Sequence, residues 1–332
     1  MNLNDGKIID NHNRLLSYLR VSITDRCNLK CIYCNPDNLN PKLPHDHILR
    51  YEEILRIIKV GVNLGISKVR VTGGEPLVRK GVYDFLEKLI KIKGIQDVSL
   101  TTNGALLKDN IEKLKSAGIK RINVSMDTLK RKKYKEITGR DSFLQTWEGI
   151  ELAQVAGLYP IKLNVVALNG INDDELKDIA RLSFSHPFHI RFIEYMPIGS
   201  RFIKNESPLL APEILKRIES LGKLNPIANE TNDGPAKRFK FEGALGEIGI
   251  ISSISHHFCE TCNRLRLTAS GQLRSCLLAD YHQDLITPLR KGCSDNELAN
   301  IFLKAASHKP FKHKVAVNQS IAVKGNMSSI GG

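Results

Sequence analysis

Cys27, Cys31 and Cys34 sit in TDRCNLKCIYCNP, residues 24–36, with the spacing C-x3-C-x2-C. Four thiolates close a tetrahedral metal site, and this stretch supplies three. The nearest histidines, His45 and His47, lie beyond Pro36, Pro41 and Pro44. Two chemistries fit: a zinc ion completed from a distance, or a [4Fe–4S] cube with one iron left open for a substrate or cofactor. A second triad, Cys259-x2-Cys262-x13-Cys276, lies near the other end of the chain. There His256 or His257 would complete a zinc site, and spacing alone leaves zinc and iron–sulfur equally open. Seven cysteines, six of them in two tight groups, read as metal ligands in a reducing compartment rather than as a disulfide framework; Cys293 stands alone as a bystander.

The elements that must position these thiols follow a repeat. Short β-branched runs at 18–24, 68–73, 98–103, 121–127, 161–168 and 189–197 alternate with segments of helical period. The helical segments are YEEILRIIKVGVNLG, GVYDFLEKLIKIK, NIEKLKSAG, FLQTWEGIELAQVAG, DDELKDIARLS and PEILKRIESLG, several ending in Gly. Six βα units imply a parallel sheet with right-handed crossovers. Polar residues gather just beyond the strand ends: Asp25 to Cys34, Thr72 to Pro76, Thr101 to Gly104, Ser125 to Thr128 and Met196 to Gly199. So many strands feeding one rim favour a curved sheet around a cavity. The expected fold is α/β, a partial (β/α)6 TIM-like barrel over residues 10–230. After about residue 225 the rhythm stops. ETNDGPAKRFKFEG reads as a linker into a hairpin, and residues 231–332 as a smaller α+β capping domain holding the second triad.

The chain of 332 residues carries a net charge of +14, which calls for a polyanionic partner. RKKYK, residues 131–135, reads as a solvated helix face. No apolar run is long enough to span a membrane, and the first twenty residues lack the pattern of a signal or transit peptide. The expected setting is cytoplasmic, without a membrane partner.

C-x3-C-x2-C after the first strand of a βα repeat resembles the radical S-adenosylmethionine (SAM) superfamily, as do Tyr33 between the second and third cysteines and the turn TGGEP at 72–76. The resemblance narrows through VRVTGGEPL, LTTNG, NVSMDTL, FIEYMPIG, ISHHFCETCNRLRLTASG and the terminal Gly331–Gly332. In that order, from about Leu16 to the last residue, the chain is similar to the molybdenum cofactor biosynthesis protein A family of GTP 3′,8-cyclases. Asn35 departs from the pattern, since many members carry Met there; it is no ligand.

The resemblance implies two [4Fe–4S] clusters, one on Cys27, Cys31 and Cys34 that binds SAM and one on Cys259, Cys262 and Cys276 that binds GTP. It places Tyr33, Gly74, Ser125 and Met196 against SAM. It places Arg20, Arg70, Thr101, Lys162, Arg264, Leu265 and Arg266 against GTP, with Lys68 and Arg191 held more loosely. Arg20 and the Gly331–Gly332 tail are implied in catalysis, the tail by threading a channel that side chains would block. The implied reaction is abstraction of the ribose 3′ hydrogen by a deoxyadenosyl radical, then ring closure of C3′ onto C8 of guanine. Partners implied are GTP, SAM, a reducing electron donor and the cyclic pyranopterin monophosphate synthase of the next step. Monomer and homodimer are equally open. Rival readings are a radical SAM enzyme acting on a peptide or RNA, and an iron–sulfur nucleic-acid-binding regulator. The latter wants a helix-turn-helix or an aromatic stacking platform, and the sequence offers neither.

Overall fold

The computed structural model describes residues 3–4, 6–34, 42–196, 198, 208–229, 234–313, 323, 327, 328 and 330. Gly331, Gly332, Asn35, Pro197, Gly199 and the start of the expected linker, 230–233, lie outside the described residues. Among the described residues one twelve-stranded sheet dominates. Its strands are β1 (Tyr18–Ser22), β2 (Lys68–Thr72), β3 (Asp97–Thr102), β4 (Ile122–Ser125), β5 (Ile161–Ala167), β6 (His189–Glu194), β7 (Leu224–Ile227), β8 (Lys237–Phe241), β9 (Glu247–Ile251), β10 (Arg264–Leu267), β11 (Gln272–Arg274) and β12 (His282–Asp284). The first six pair in chain order, all parallel. Helices α1 (Tyr51–Asn63), α2 (Val82–Ile90), α3 (Ile111–Ser116), α4 (Arg131–Thr138), α5 (Phe143–Val155) and α6 (Leu176–Ser185) make the crossovers. The RKKYK run opens α4, whose buried face is Tyr134, Ile137 and Thr138.

Alternation along each strand sorts the side chains. On β1, Leu19 and Val21 enter the apolar layer under the helices, and Val69 and Val71 do the same on β2. Their neighbours Tyr18, Arg20, Lys68 and Arg70 turn to the inner face. The six-unit reading therefore holds, and the inner face of the sheet is charged rather than oily.

The segment after β6 caps this barrel by joining its sheet. Strand β9 pairs in parallel with β6, and β10 pairs in parallel with β1, at the opposite edge. Eight parallel strands result, and residues 252–263, between β9 and β10, must cross the open side of the barrel. Cys259 and Cys262 lie on that crossing, and Cys276 follows the β10–β11 hairpin. Strands β7 and β8 extend the β9 edge antiparallel, so that KRFKF, read as part of the linker, is itself a strand of the hairpin with β9. Helices α7 (Ala211–Glu219), α8 (Ile286–Arg290) and α9 (Asp295–Ser307) follow β6 among the described residues, α9 opening on a Ser294–Glu297 capping box.

Candidate active site

Both cysteine triads open into one cavity. Cys27, Cys31 and Cys34 line one part of it; Cys259, Cys262 and Cys276 line another. All seven cysteines are free thiols. The first triad rests on the loop after β1. Leu29 N donates to Cys27 Sγ at 3.4 Å, and Asn103 Nδ2 approaches the same sulfur at 3.6 Å. Burial pushes the Cys31 and Cys34 thiols up, Cys34 to about 12 even with Ser328 donating to it from backbone and hydroxyl. Bare thiols in that pocket stay protonated, and a bound cationic metal would reverse that preference.

The glycine turn is set by contact. Gly74 N donates to Thr24 O at 2.6 Å and Glu75 N to Arg26 O at 2.8 Å, which draws TGGEP against the cysteine loop. A Cβ at Gly74 would run into the Arg26 carbonyl, and one at Gly73 into that of Thr24. Glu75 is fully buried and accepts from Leu77 N, Thr102 Oγ1 and Asn103 N at 3.0, 2.8 and 2.7 Å. Tyr33 is held by its hydroxyl, which donates to Asp127 Oδ2 at 2.7 Å, while Asp127 Oδ1 accepts from Val166 N at 2.8 Å. Ser125, Gly74 and Met196 line the same cavity.

Between the triads lies a cationic floor. Strand register places Arg20 directly between Arg266 and Arg70, and all three line the cavity with Arg264, Arg191 and Thr101. Burial, then the neighbouring cations Arg266, Arg70 and Arg264, hold the Arg20 guanidinium well below its usual range. Burial and Arg264 hold Arg266 down at about 9. The buried Nε atoms of Arg20 and Arg264 and the Thr101 hydroxyl have no partner among the described residues. A cluster of buried cations with donors to spare is a site shaped for a polyanion.

Three expected contacts sit elsewhere. Lys162, on the inner face of β5 below Asn164, is buried beneath the residues that line the cavity. Lys68 lies below Arg70 in the same way and pairs with Asp97 at 3.3 Å. The Leu265 side chain is fully buried in the layer under the helices, on the opposite face from Arg264 and Arg266. Only its backbone remains near the cavity.

The second triad is braced from both ends of the chain. Lys309, 3% exposed, donates to Cys262 Sγ at 3.4 Å, Arg264 O at 2.8 Å and Ser275 O at 2.7 Å. Arg14 pairs with Asp10 at 2.6 Å and donates to Cys259 O at 2.5 Å and Pro310 O at 2.7 Å. Neither residue stands out in the sequence, because the thiol-bearing partners lie 47 positions from Lys309 and 245 from Arg14. Burial raises the Cys262 thiol, yet Lys309 and Arg264 outweigh it and hold it below its ordinary value. His257 lines the cavity and meets the His313 ring at 4.9 Å. His45 and His47 lie exposed in a turn outside it. Among the described residues no three His, Cys, Asp or Glu side chains converge as ligands of a single metal ion.

This barrel, with three thiols after its first strand and a glycine turn after its second, defines a radical SAM enzyme. The chain matches the radical SAM superfamily over residues 21–183 and the Molybdenum Cofactor Synthesis C family over residues 188–315. It is 48% identical to the GTP 3′,8-cyclase of Heliobacterium modesticaldum, over 92% of this chain and 94% of that one. It is 46% identical to that of Petrotoga mobilis, over 98% and 100%. Among solved structures, Streptococcus suis SuiB bound to S-adenosylmethionine shares the fold with a TM-score of 0.63 at 15% identity, covering 93% of this chain and 79% of that one. The chain belongs to the GTP 3′,8-cyclase family. Membership brings a SAM-binding [4Fe–4S] cluster, and the Cys27, Cys31 and Cys34 thiols have the number and loop position to hold it. No helix among the described residues is long and apolar enough to cross a membrane.

Proposed function

We propose that the protein converts GTP to (8S)-3′,8-cyclo-7,8-dihydroguanosine 5′-triphosphate, the first step of molybdenum cofactor biosynthesis. One observation carries the reading: a floor of Arg20, Arg70, Arg264 and Arg266 lies in the same cavity as two cysteine triads. Cys27, Cys31 and Cys34 would hold the SAM-binding cluster, and Cys259, Cys262 and Cys276 a second [4Fe–4S] cluster beside guanine. When bound, the first cluster and SAM supply one-electron cleavage of the sulfonium and a deoxyadenosyl radical for the ribose 3′ hydrogen.

The protein's own residues supply position. Arg20, Arg70, Arg264 and Arg266 hold the triphosphate, and each desolvated contact contributes about 1.5–3 kcal/mol. Thr101 offers its unpaired hydroxyl to the same substrate. Gly74 presents main-chain polar groups to the amino end of SAM, and Tyr33, fixed by Asp127, flanks the adenine with Ser125 and Met196. Fixing the ribose and C8 in one geometry makes ring closure effectively unimolecular. Crossing residues 252–263, tied down by Lys309 and Arg14, hold the guanine end opposite the SAM end.

The reading includes a cytoplasmic setting, a reducing electron donor, and handover of a labile product to the cyclic pyranopterin monophosphate synthase. The test is anaerobic incubation of reconstituted, reduced protein with GTP and SAM. The expected result is deoxyadenosine together with a product that degrades to a fluorescent pterin. A loaded enzyme that forms no deoxyadenosine, or forms it without the pterin precursor, overturns the reading.

A further inference from the structure

Tyr18 lies beneath the cationic floor, and the reaction as described gives it no role. Strand register sets it between Arg264 on β10 and Lys68 on β2. The row above is Arg266, Arg20 and Arg70, so the phenol faces cations from three strands. The Arg264 guanidinium lies 4.7 Å from the ring centroid, the Lys68 ammonium 5.2 Å and the Arg70 guanidinium 5.7 Å. The residue is 2% exposed, and its hydroxyl is buried without a hydrogen-bond partner among the described residues.

A buried tyrosine hydroxyl normally finds a partner. Here the groups around it only donate: arginine and lysine carry no acceptor. From β1 comes Arg20, from β2 Lys68 and Arg70, from β10 Arg264 and Arg266. The carboxylate packed nearest, Asp97 on β3, is engaged by Lys68 and Arg121. The phenol oxygen can accept from such donors in either state, and as phenolate it also offsets their charge. Burial pushes its pKa up, but Arg70, Arg264, Arg20 and Lys68 outweigh burial and hold it at about 8.

We propose that the Tyr18 hydroxyl is the exchangeable counter-charge of this cradle. In alkaline solution it carries the anion while the cationic floor has no polyphosphate, and takes one proton from solvent when a nucleoside triphosphate brings its own negative charge. The inference rests on the reading of the floor as the GTP site. In the step one O–H bond forms, the proton comes from water, and no redox change occurs.

The sign is fixed by linkage. A bound triphosphate offsets the cations and raises the phenol's pKa, so between the free and bound values one proton binds with each GTP. Affinity for GTP then falls as pH rises above about 8, by up to about tenfold per pH unit. The γ-phosphate has already lost its proton in this range and adds no slope.

The test is calorimetric titration of the reconstituted protein with GTP, without SAM, in buffers of different ionisation enthalpy. Wild type is expected to take up close to one proton per GTP at about pH 9. Tyr18→Phe, which keeps the ring and its cation contacts, is expected to take up about one proton fewer per GTP than wild type and to bind GTP more tightly than wild type at that pH. Guanosine, lacking phosphates, is expected to cause no uptake in either protein. As a readout independent of calorimetry, the near-ultraviolet phenolate band of wild type minus Tyr18→Phe should vanish on adding GTP. Equal proton uptake and equal pH slope in wild type and Tyr18→Phe overturn the proposal while leaving the cyclase reading intact. Failure of wild type to bind GTP at any pH overturns both.

Discussion

Lys309 and Cys262 are joined across the cavity wall. The ammonium lies 3.4 Å from the sulfur and holds the carbonyls of Arg264 and Ser275 at 2.8 and 2.7 Å. One buried cation thus fixes the thiol, the strand leaving it and the turn before Cys276. Arg14 grips the Cys259 carbonyl from the other side. The chain's two ends fold back onto residues 252–263 because that crossing has no sheet partners of its own.

Lys309→Met should therefore disturb the second triad and spare the first. The substitution leaves two buried carbonyls unpaired, at about 1–3 kcal/mol each. A residue that supports a metal ligand typically changes affinity or activity by roughly ten- to a hundredfold. The expected result is iron content falling toward one cluster per chain and loss of cyclic product, with SAM still cleaved. Lys309→Arg should recover part of the iron. Full iron loading and normal cyclisation in the Met variant would remove Lys309 from this role.

Arg266→Met separates function from stability. Arg266 is buried beside Arg20 and Arg264, and burial and Arg264 hold its guanidinium below its usual range. Replacing it with an apolar side chain of similar length removes a desolvated charge together with the contacts that charge makes, and should leave the GTP-free protein within about 1 kcal/mol of wild type. The same change should weaken GTP by roughly ten- to a hundredfold. Thermal unfolding with and without GTP checks both: a midpoint near wild type alone, a smaller shift on adding GTP. If the midpoint falls with the affinity, Arg266 is held by structural partners rather than for substrate.

The sequence made the chemistry more legible than the architecture around it. Both triads, the glycine turn and the arginines of β1, β2 and β10 are local patterns, readable from spacing and strand period. Leu265, placed against GTP by resemblance, instead buries its side chain in the layer under the helices, between Arg264 and Arg266 on the other face. What stayed hidden is set by strand order. That β9 and β10 join opposite edges of one sheet follows from pairings between residues as distant as Tyr18 and Arg264. The clamp of Asp10 and Arg14, the brace of Lys309 and the tether from Tyr33 to Asp127 depend on the same long-range closure. Tyr18 was two residues from Arg20 throughout, but only the register reveals which cations surround it.

Glu75 makes a pH prediction of definite sign. Burial raises its carboxyl to about 7 despite donors from Asn103, Leu77 and Thr102. A folded-state value above the unfolded one means the folded protein holds the proton more tightly. Glu75 therefore favours folding most below about 4.5, and that contribution is lost as pH rises to about 7. The loss is on the order of 3 kcal/mol. Glu75→Gln removes the slope but turns an amide N–H toward backbone donors, which costs about 1–3 kcal/mol. Urea unfolding of cluster-free protein between those pH values checks it. Wild type should lose its advantage over the variant as pH rises, and a constant gap would contradict the burial argument.

Beyond residue 313 the described residues, Val323, Met327, Ser328 and Ile330, all make interior contacts. Val323 and Ile330 are buried with Ile198, Ile254 and Leu278 in a small apolar cluster separate from the main core. Met327 and Ser328 line the cavity, and Ser328 donates to Cys34. Ser328 thus touches the first triad, and Gly331 and Gly332 follow it in the sequence outside the described residues. Deleting both glycines removes no part of the apolar cluster and no thiol. Both clusters should assemble and SAM should still be cleaved, while cyclic product is lost. Iron analysis, deoxyadenosine yield and pterin fluorescence on one sample separate these outcomes. Normal product formation by the truncated chain would show that the terminal glycines do not act in cyclisation.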